Sequence, residues 1–126
     1  MPSVILVAED NLTLRWLFVQ QLEKLGCESD CAGNGIEAVK RFKKRRGYGL
    51  ILMDVMMPDL DGYEATKQIR EFERLEKLGH TPIVAITCIE DRESCLAAGM
   101  DDYYQKPLLP EHMKEILEKW LSKKTT

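Results

Sequence analysis

The segment Leu50-Ile-Leu-Met-Asp-Val-Met-Met-Pro-Asp-Leu-Asp-Gly62 begins as an apolar run of strand length. It carries one carboxylate, Asp54, near the end of that run and then breaks into the turn signals Met57-Pro58 and Asp61-Gly62. A lone aspartate buried in such a run costs several kcal/mol unless a partner compensates it. Two questions follow: which kind of sheet takes so apolar a strand, and what faces Asp54.

Strands covered on both faces read as continuous apolar runs, the pattern of parallel sheets. Val4–Ala8 (VILVA) and Pro82–Thr87 (PIVAIT) read the same way as the run before Asp54. Residues 27–32 (CESDCA) and 101–105 (DDYYQ) are more polar and suit the sheet edges. Between these runs the apolar spacing turns helical. Leu14, Leu17, Phe18, Leu22 and Leu25 stop at Gly26, and Ile36, Val39 and Phe42 belong to a helix that starts near Asn34. A third helix runs from Tyr63 to Lys77, and a fourth, weakly apolar, surrounds Cys95-Leu96. Pro110 opens the fifth, whose stripe is Met113, Ile116, Leu117, Trp120 and Leu121. Alternating strands and helices predict an α/β fold: a flavodoxin-like, doubly wound, five-stranded parallel sheet of order 2-1-3-4-5 with helices on both faces. With 126 residues and no repeats or linkers, residues 1–126 are expected to form one domain.

Composition removes several function classes. Apolar residues make up 44% and charged residues 31%, an ordinary balance for a folded chain. No apolar run approaches membrane-span length and Met1-Pro-Ser-Val4 is no signal peptide, so a cytoplasmic location without membrane insertion is expected. The formal charge of −3 argues against direct nucleic-acid binding. The one basic cluster, Lys40 to Arg46, falls at a helix end, where cations complement the helix dipole. Cys27, Cys31, Cys88 and Cys95 form no CxxC pair and have no ligand spacing to His80 or His112; they read as reduced, mostly buried thiols.

In the order 2-1-3-4-5, ligands bind beyond the carboxyl ends of strands 1 and 3. Strand 1 ends in Ala8-Glu9-Asp10-Asn11 and strand 3 ends at Asp54, so three carboxylates converge. Neighbouring strands lie roughly 4.8 Å apart, and like charges about 4 Å apart repel by about 4 kcal/mol at an effective dielectric near 20. A divalent cation that prefers oxygen, Mg²⁺, is the simplest neutraliser. Thr87, ending strand 4, adds a hydroxyl, and Lys106, just after strand 5, adds an ammonium; together these groups suit a phosphoryl group and its metal. Taken singly, Glu9-Asp10-Asn11 reads equally as a helix cap and Thr87 as a structural threonine. A flavodoxin-type electron carrier would need a phosphate-cradling loop after strand 1, where Glu9 and Asp10 would repel the phosphate. A module that is never phosphorylated would have no use for clustered carboxylates.

From Val4 to about Lys119 the sequence resembles the receiver domain of two-component response regulators. The resemblance rests on the acidic pair in LVAEDN, on LILMDVMMPDLDG, on PIVAIT with Thr87 and on GMDDYYQKP with Lys106. It implies that Asp54 is a phosphoacceptor taking a phosphoryl group from a phosphohistidine. It further implies Mg²⁺ held by Asp10, Asp54 and the Met56 backbone carbonyl, with Glu9 acting directly or through water. Lys106 would pair with the phosphoryl oxygens and Thr87 would hydrogen-bond to one. Thr87 and the aromatic three residues before the lysine, Tyr103, would form a switch that remodels the face of helix 4, strand 5 and helix 5; Tyr104 would point to the opposite side. Cys88 departs from the alanine usual after the threonine.

The implied molecule is a signalling switch rather than a classical enzyme, catalysing only its own phosphorylation and dephosphorylation. It is either a stand-alone regulator or the receiver module of a hybrid histidine kinase. Its partners would be a histidine kinase or histidine phosphotransfer domain and a downstream effector, and a phosphorylation-dependent dimer is compatible with the pattern. Leu12, Trp16 and Val19 form a second apolar row on helix 1 near the acidic end of the sheet, expected either to receive the phosphohistidine donor or to pack Trp16 against the last helix.

Overall fold

The computed structural model describes residues 3–45 and 47–121. Arg46 of the basic cluster and residues 1, 2 and 122–126 of the expected domain lie outside the described residues. The chain alternates β1 (Val4–Ala8), α1 (Leu12–Lys24), β2 (Glu28–Ala32), α2 (Gly35–Lys44) and β3 (Leu50–Met53). It continues through α3 (Gly62–Leu75), β4 (Ile83–Thr87), α4 (Arg92–Ala97), β5 (Asp102–Gln105) and α5 (Pro110–Trp120). All strand pairs are parallel, in the order β2-β1-β3-β4-β5, and the two polar strands are the edges, as their composition requires.

Side chains alternate between the two faces of each central strand and build two cores. Leu6, Ala8, Ile51, Met53, Ile83 and Ala85 pack with Phe42, Ile69 and Cys95, on the side of α2, α3 and α4. Ile5, Val7, Leu50, Leu52, Val84 and Ile86 pack with Phe18, Leu22, Met113 and Ile116, on the side of α1 and α5. Four helices start at an Asx cap: Asn11, Asn34, Asp61 and Asp91 each accept the N–H three residues on, which satisfies one free donor of the first turn. Among the described residues no helix is long and apolar enough to cross a membrane.

Some local expectations shift. β3 ends at Met53, one residue short of Asp54, although the Asp54 N–H still bonds Ala8 O at 3.0 Å and carries the pairing onward. In α1 only Phe18 and Leu22 of the expected stripe are buried, and Leu17 and Leu25 are exposed. The reason is geometric: Leu14, Phe18 and Leu22 share one line at four-residue spacing, and Leu17 and Leu25 flank it. The four thiols are not mostly buried: Cys95 is, Cys27 and Cys31 are half-buried, and Cys88, one residue past β4 on a loop, is exposed, while Thr87 before it takes the inward position. The described part of the basic cluster, Lys40 to Arg45, is a solvated helix end apart from buried Phe42.

Candidate functional site

Each acidic residue is placed by the end of a strand. Glu9 extends β1, its N–H bonding Ala32 O at 3.0 Å, and the Asn11 N–H then donates to Glu9 Oε2 at 3.0 Å. Asp54 follows β3 and is buried, with Gly62 packed against its backbone. A Cβ on Gly62 would stand 2.1 Å from the Asp54 carbonyl oxygen, so the Asp61-Gly62 turn admits no side chain there. Lys106 is anchored through its N–H to Thr87 O at 2.9 Å, and the Lys106–Pro107 peptide is cis.

These strand ends bring together what the sequence placed on them. Oxygens of Glu9, Asp10 and Asp54 lie within 4.8 Å of one another, Glu9 and Asp54 buried and Asp10 exposed. Lys106 Nζ stands 2.7 Å from Glu9 Oε1 and 3.1 Å from Asp54 Oδ2. Burial raises the pKa of the Glu9 carboxyl and Asp54 adds to the rise, outweighing Lys106 and the Asn11 N–H, which pull it down. Burial works against the Lys106 ammonium, yet Glu9 and Asp54 hold its pKa above the ordinary lysine value. Three carboxylates against one ammonium leave two formal negative charges, all on hard oxygen donors, which is the charge and chemistry a Mg²⁺ ion complements.

Asp10, Met56, Asp61, Tyr63 and Ile89 line a cleft of about 550 Å³, and Met56 is 63% exposed at its mouth. The buried Thr87 accepts the Ile89 N–H at 3.2 Å, and the Tyr103 hydroxyl donates to the Ile89 carbonyl at 2.8 Å. Tyr103 packs on the α3 side and Tyr104 on the α5 side, so strand alternation separates the two rings as expected. Leu12 and Trp16 are 71% and 62% exposed, and Val19 is half-buried. It is Trp120, not Trp16, that belongs to the α1/α5 core. Ile89 and Arg15 were missed by sequence reasoning: Ile89 bonds through its own backbone N–H and carbonyl, and the Arg15 guanidinium donates to the Glu9 backbone carbonyl at 3.2 Å, its one trace in the sequence being a cation one turn beyond the acidic pair.

Residues 5–118 match the model of the response regulator receiver domain. The chain belongs to the response regulator receiver domain family. As a receiver domain it is a module of two-component and phosphorelay signalling, not a classical enzyme. Its relatives include hybrid signal transduction histidine kinase B of Dictyostelium discoideum, 43% identical over 82% of this chain. Probable histidine kinase 1 of Oryza sativa subsp. indica is 37% identical over 93%. The chain spans only 6% and 15% of those two proteins. The receiver domain of the Pseudomonas aeruginosa sensor kinase PA1611, with magnesium in its active-site cleft, superposes with TM-score 0.85 at 38% identity, covering 97% of this chain and 99% of that one. A chain in the complex of Saccharomyces cerevisiae Ypd1, a histidine phosphotransfer protein, with the receiver domain of Ssk1 superposes with TM-score 0.93 at 30% identity, covering 99% and 92%.

Proposed function

We propose that this receiver domain takes a phosphoryl group from a phosphohistidine donor onto Asp54 and answers by moving its α4–β5–α5 face. The observation that carries this reading is Lys106 Nζ bridging Glu9 and Asp54 beside Asp10, a charged constellation at the carboxyl end of the sheet. An Asp54 carboxylate oxygen forms the bond to phosphorus as the P–N bond breaks, and the electron pair of that bond returns to the donor imidazole. Lys106 neutralises the oxygens on which charge gathers, and the Thr87 hydroxyl donates to one of them. Glu9, Asp10, Asp54 and the Met56 carbonyl would hold Mg²⁺, which supplies charge neutralisation on the transferring group. The same constellation serves water as the acceptor, so the domain also catalyses its own dephosphorylation.

Ile89 links chemistry to output. Its N–H is bound to Thr87 and its carbonyl to Tyr103, so a Thr87 hydroxyl drawn toward a phosphoryl group shifts the residue whose carbonyl takes the Tyr103 hydroxyl. The partners are a histidine kinase or a histidine phosphotransfer domain in the cytoplasm and a downstream effector, with dimerisation on phosphorylation. Leu12, Trp16 and Val19, an apolar row near the cleft, receive the donor; the exposure of Trp16 supports this use over internal packing.

The test follows radiolabel from a phosphohistidine protein to this chain. Wild type becomes labelled, Asp54→Asn does not, and Trp16→Ala is labelled about tenfold more slowly with its fold intact. Labelling of Asp54→Asn would overturn the acceptor assignment, and an unchanged Trp16→Ala rate would overturn the docking row.

A further inference from the structure

The peptide joining Glu9 to Asp10 governs where both carboxylates point. Its carbonyl accepts a hydrogen bond from Arg15 Nη1 at 3.2 Å. Arg15 lies in the first turn of α1, and helical side chains lean toward the N-terminus, so it reaches back to the loop that precedes its own helix. Asn11 grips the same segment from the other end, its N–H on Glu9 Oε2 at 3.0 Å. Gly33, on the loop between β2 and α2, lies against the guanidinium: a Cβ there would stand 3.0 Å from Arg15 Nη1. Two separate stretches of chain thus meet at one contact, one supplying the donor and the other leaving space for it.

We propose that Arg15 is a positioning residue that fixes the orientation of Glu9 and Asp10 toward a divalent cation, with the bare backbone of Gly33 giving it room. The proposal rests on the reading of Glu9, Asp10 and Asp54 as a Mg²⁺ site. Charge alone predicts the opposite of positioning: removing a cation beside an acidic cluster should tighten metal binding. Mg²⁺ demands near-ideal octahedral geometry and Ca²⁺ does not, so a geometric role weighs on Mg²⁺ selectively. Groups that orient metal ligands typically govern affinity by about 10- to 100-fold.

Calorimetric titration of the protein with Mg²⁺ and with Ca²⁺, beside thermal melts of the metal-free form, tests this in Arg15→Gln, Arg15→Lys and Gly33→Val. The expected result is a Mg²⁺ Kd raised about tenfold in Arg15→Gln and Gly33→Val, with Ca²⁺ changed less than about threefold. Arg15→Lys recovers part of the loss, and the melting temperature of Arg15→Gln stays within about 2 °C of wild type. Unchanged or tighter Mg²⁺ binding in Arg15→Gln overturns the proposal, as does equal loss of both cations. A wild type that binds no Mg²⁺ overturns the metal site itself, and the proposal with it. If Gly33→Val does not fold, Arg15→Gln decides.

Discussion

Asp54 and Glu9 share a single ammonium, and Asp10 stands beside them with no ion pair among the described residues. Replacing Asp10 with asparagine removes a charge that repels two neighbours, so the metal-free protein should gain about 0.5 kcal/mol, the modest value suited to an exposed group. Mg²⁺ binding should weaken in the same variant. Urea unfolding in the presence of a chelator checks the first part, and a fall in stability would mean that the carboxylates do not repel as their distances imply. At this scale Glu9, Asp10, Asp54, Thr87 and Lys106 were legible because each terminates or follows a strand whose apolar run is plain in the sequence. Ile89 was not, because it works through its own main-chain atoms, and Arg15 was not, because the group its guanidinium meets is the Glu9 main-chain carbonyl, which leaves no signature in residue type.

Among the described elements, α4 is the shortest helix, with Cys95 its only buried residue. Asp102, 4% exposed at the start of β5, is the hub of that neighbourhood. It accepts the Trp120 indole N–H at 3.0 Å and faces Lys119 at 3.2 Å on α5 and Arg92 at 3.6 Å on α4. Burial works against its charge, yet the Trp120 and Tyr103 N–H groups and Lys119 win and hold its pKa below the ordinary aspartate range. A carboxylate whose pKa is lowered by folding stabilises the fold above its unfolded value, about 3.9, and loses that contribution as pH falls through the folded value. Asp102→Asn should therefore cost about 1–2 kcal/mol at pH 7, and the difference from wild type should shrink as the pH drops below about 4. A difference that stays constant from pH 7 to pH 3 in denaturant titrations would show that the charge on Asp102 contributes nothing. The hub was invisible in the sequence because Asp102 and Trp120 are distant along the chain and each has an ordinary local role, edge-strand residue and helix-stripe residue. The edge and central strands were legible from polarity alone, and the exact burial of α1 was not, since a wide apolar stripe does not say which line of it meets the sheet.

Over the whole molecule, the strand order carries the argument from residues to function. Reversal of the winding at β1 and β3 leaves a crevice beyond their carboxyl ends, and the cleft lined by Asp10, Met56 and Ile89 opens there. The order could be derived because three continuous apolar runs and two polar ones leave little freedom in a right-handed parallel sheet. The two histidine kinases it matches are far longer than this chain, which spans 15% and 6% of them. The central claim, that the crevice makes Asp54 a metal-dependent phosphoacceptor, is tested most directly by the intact mass after incubation with acetyl phosphate. Wild type in Mg²⁺ should gain one phosphoryl group, and the gain should vanish with a chelator or in Asp54→Asn. A protein that binds Mg²⁺ and still gains no mass, or gains it equally in Asp54→Asn, would contradict the account.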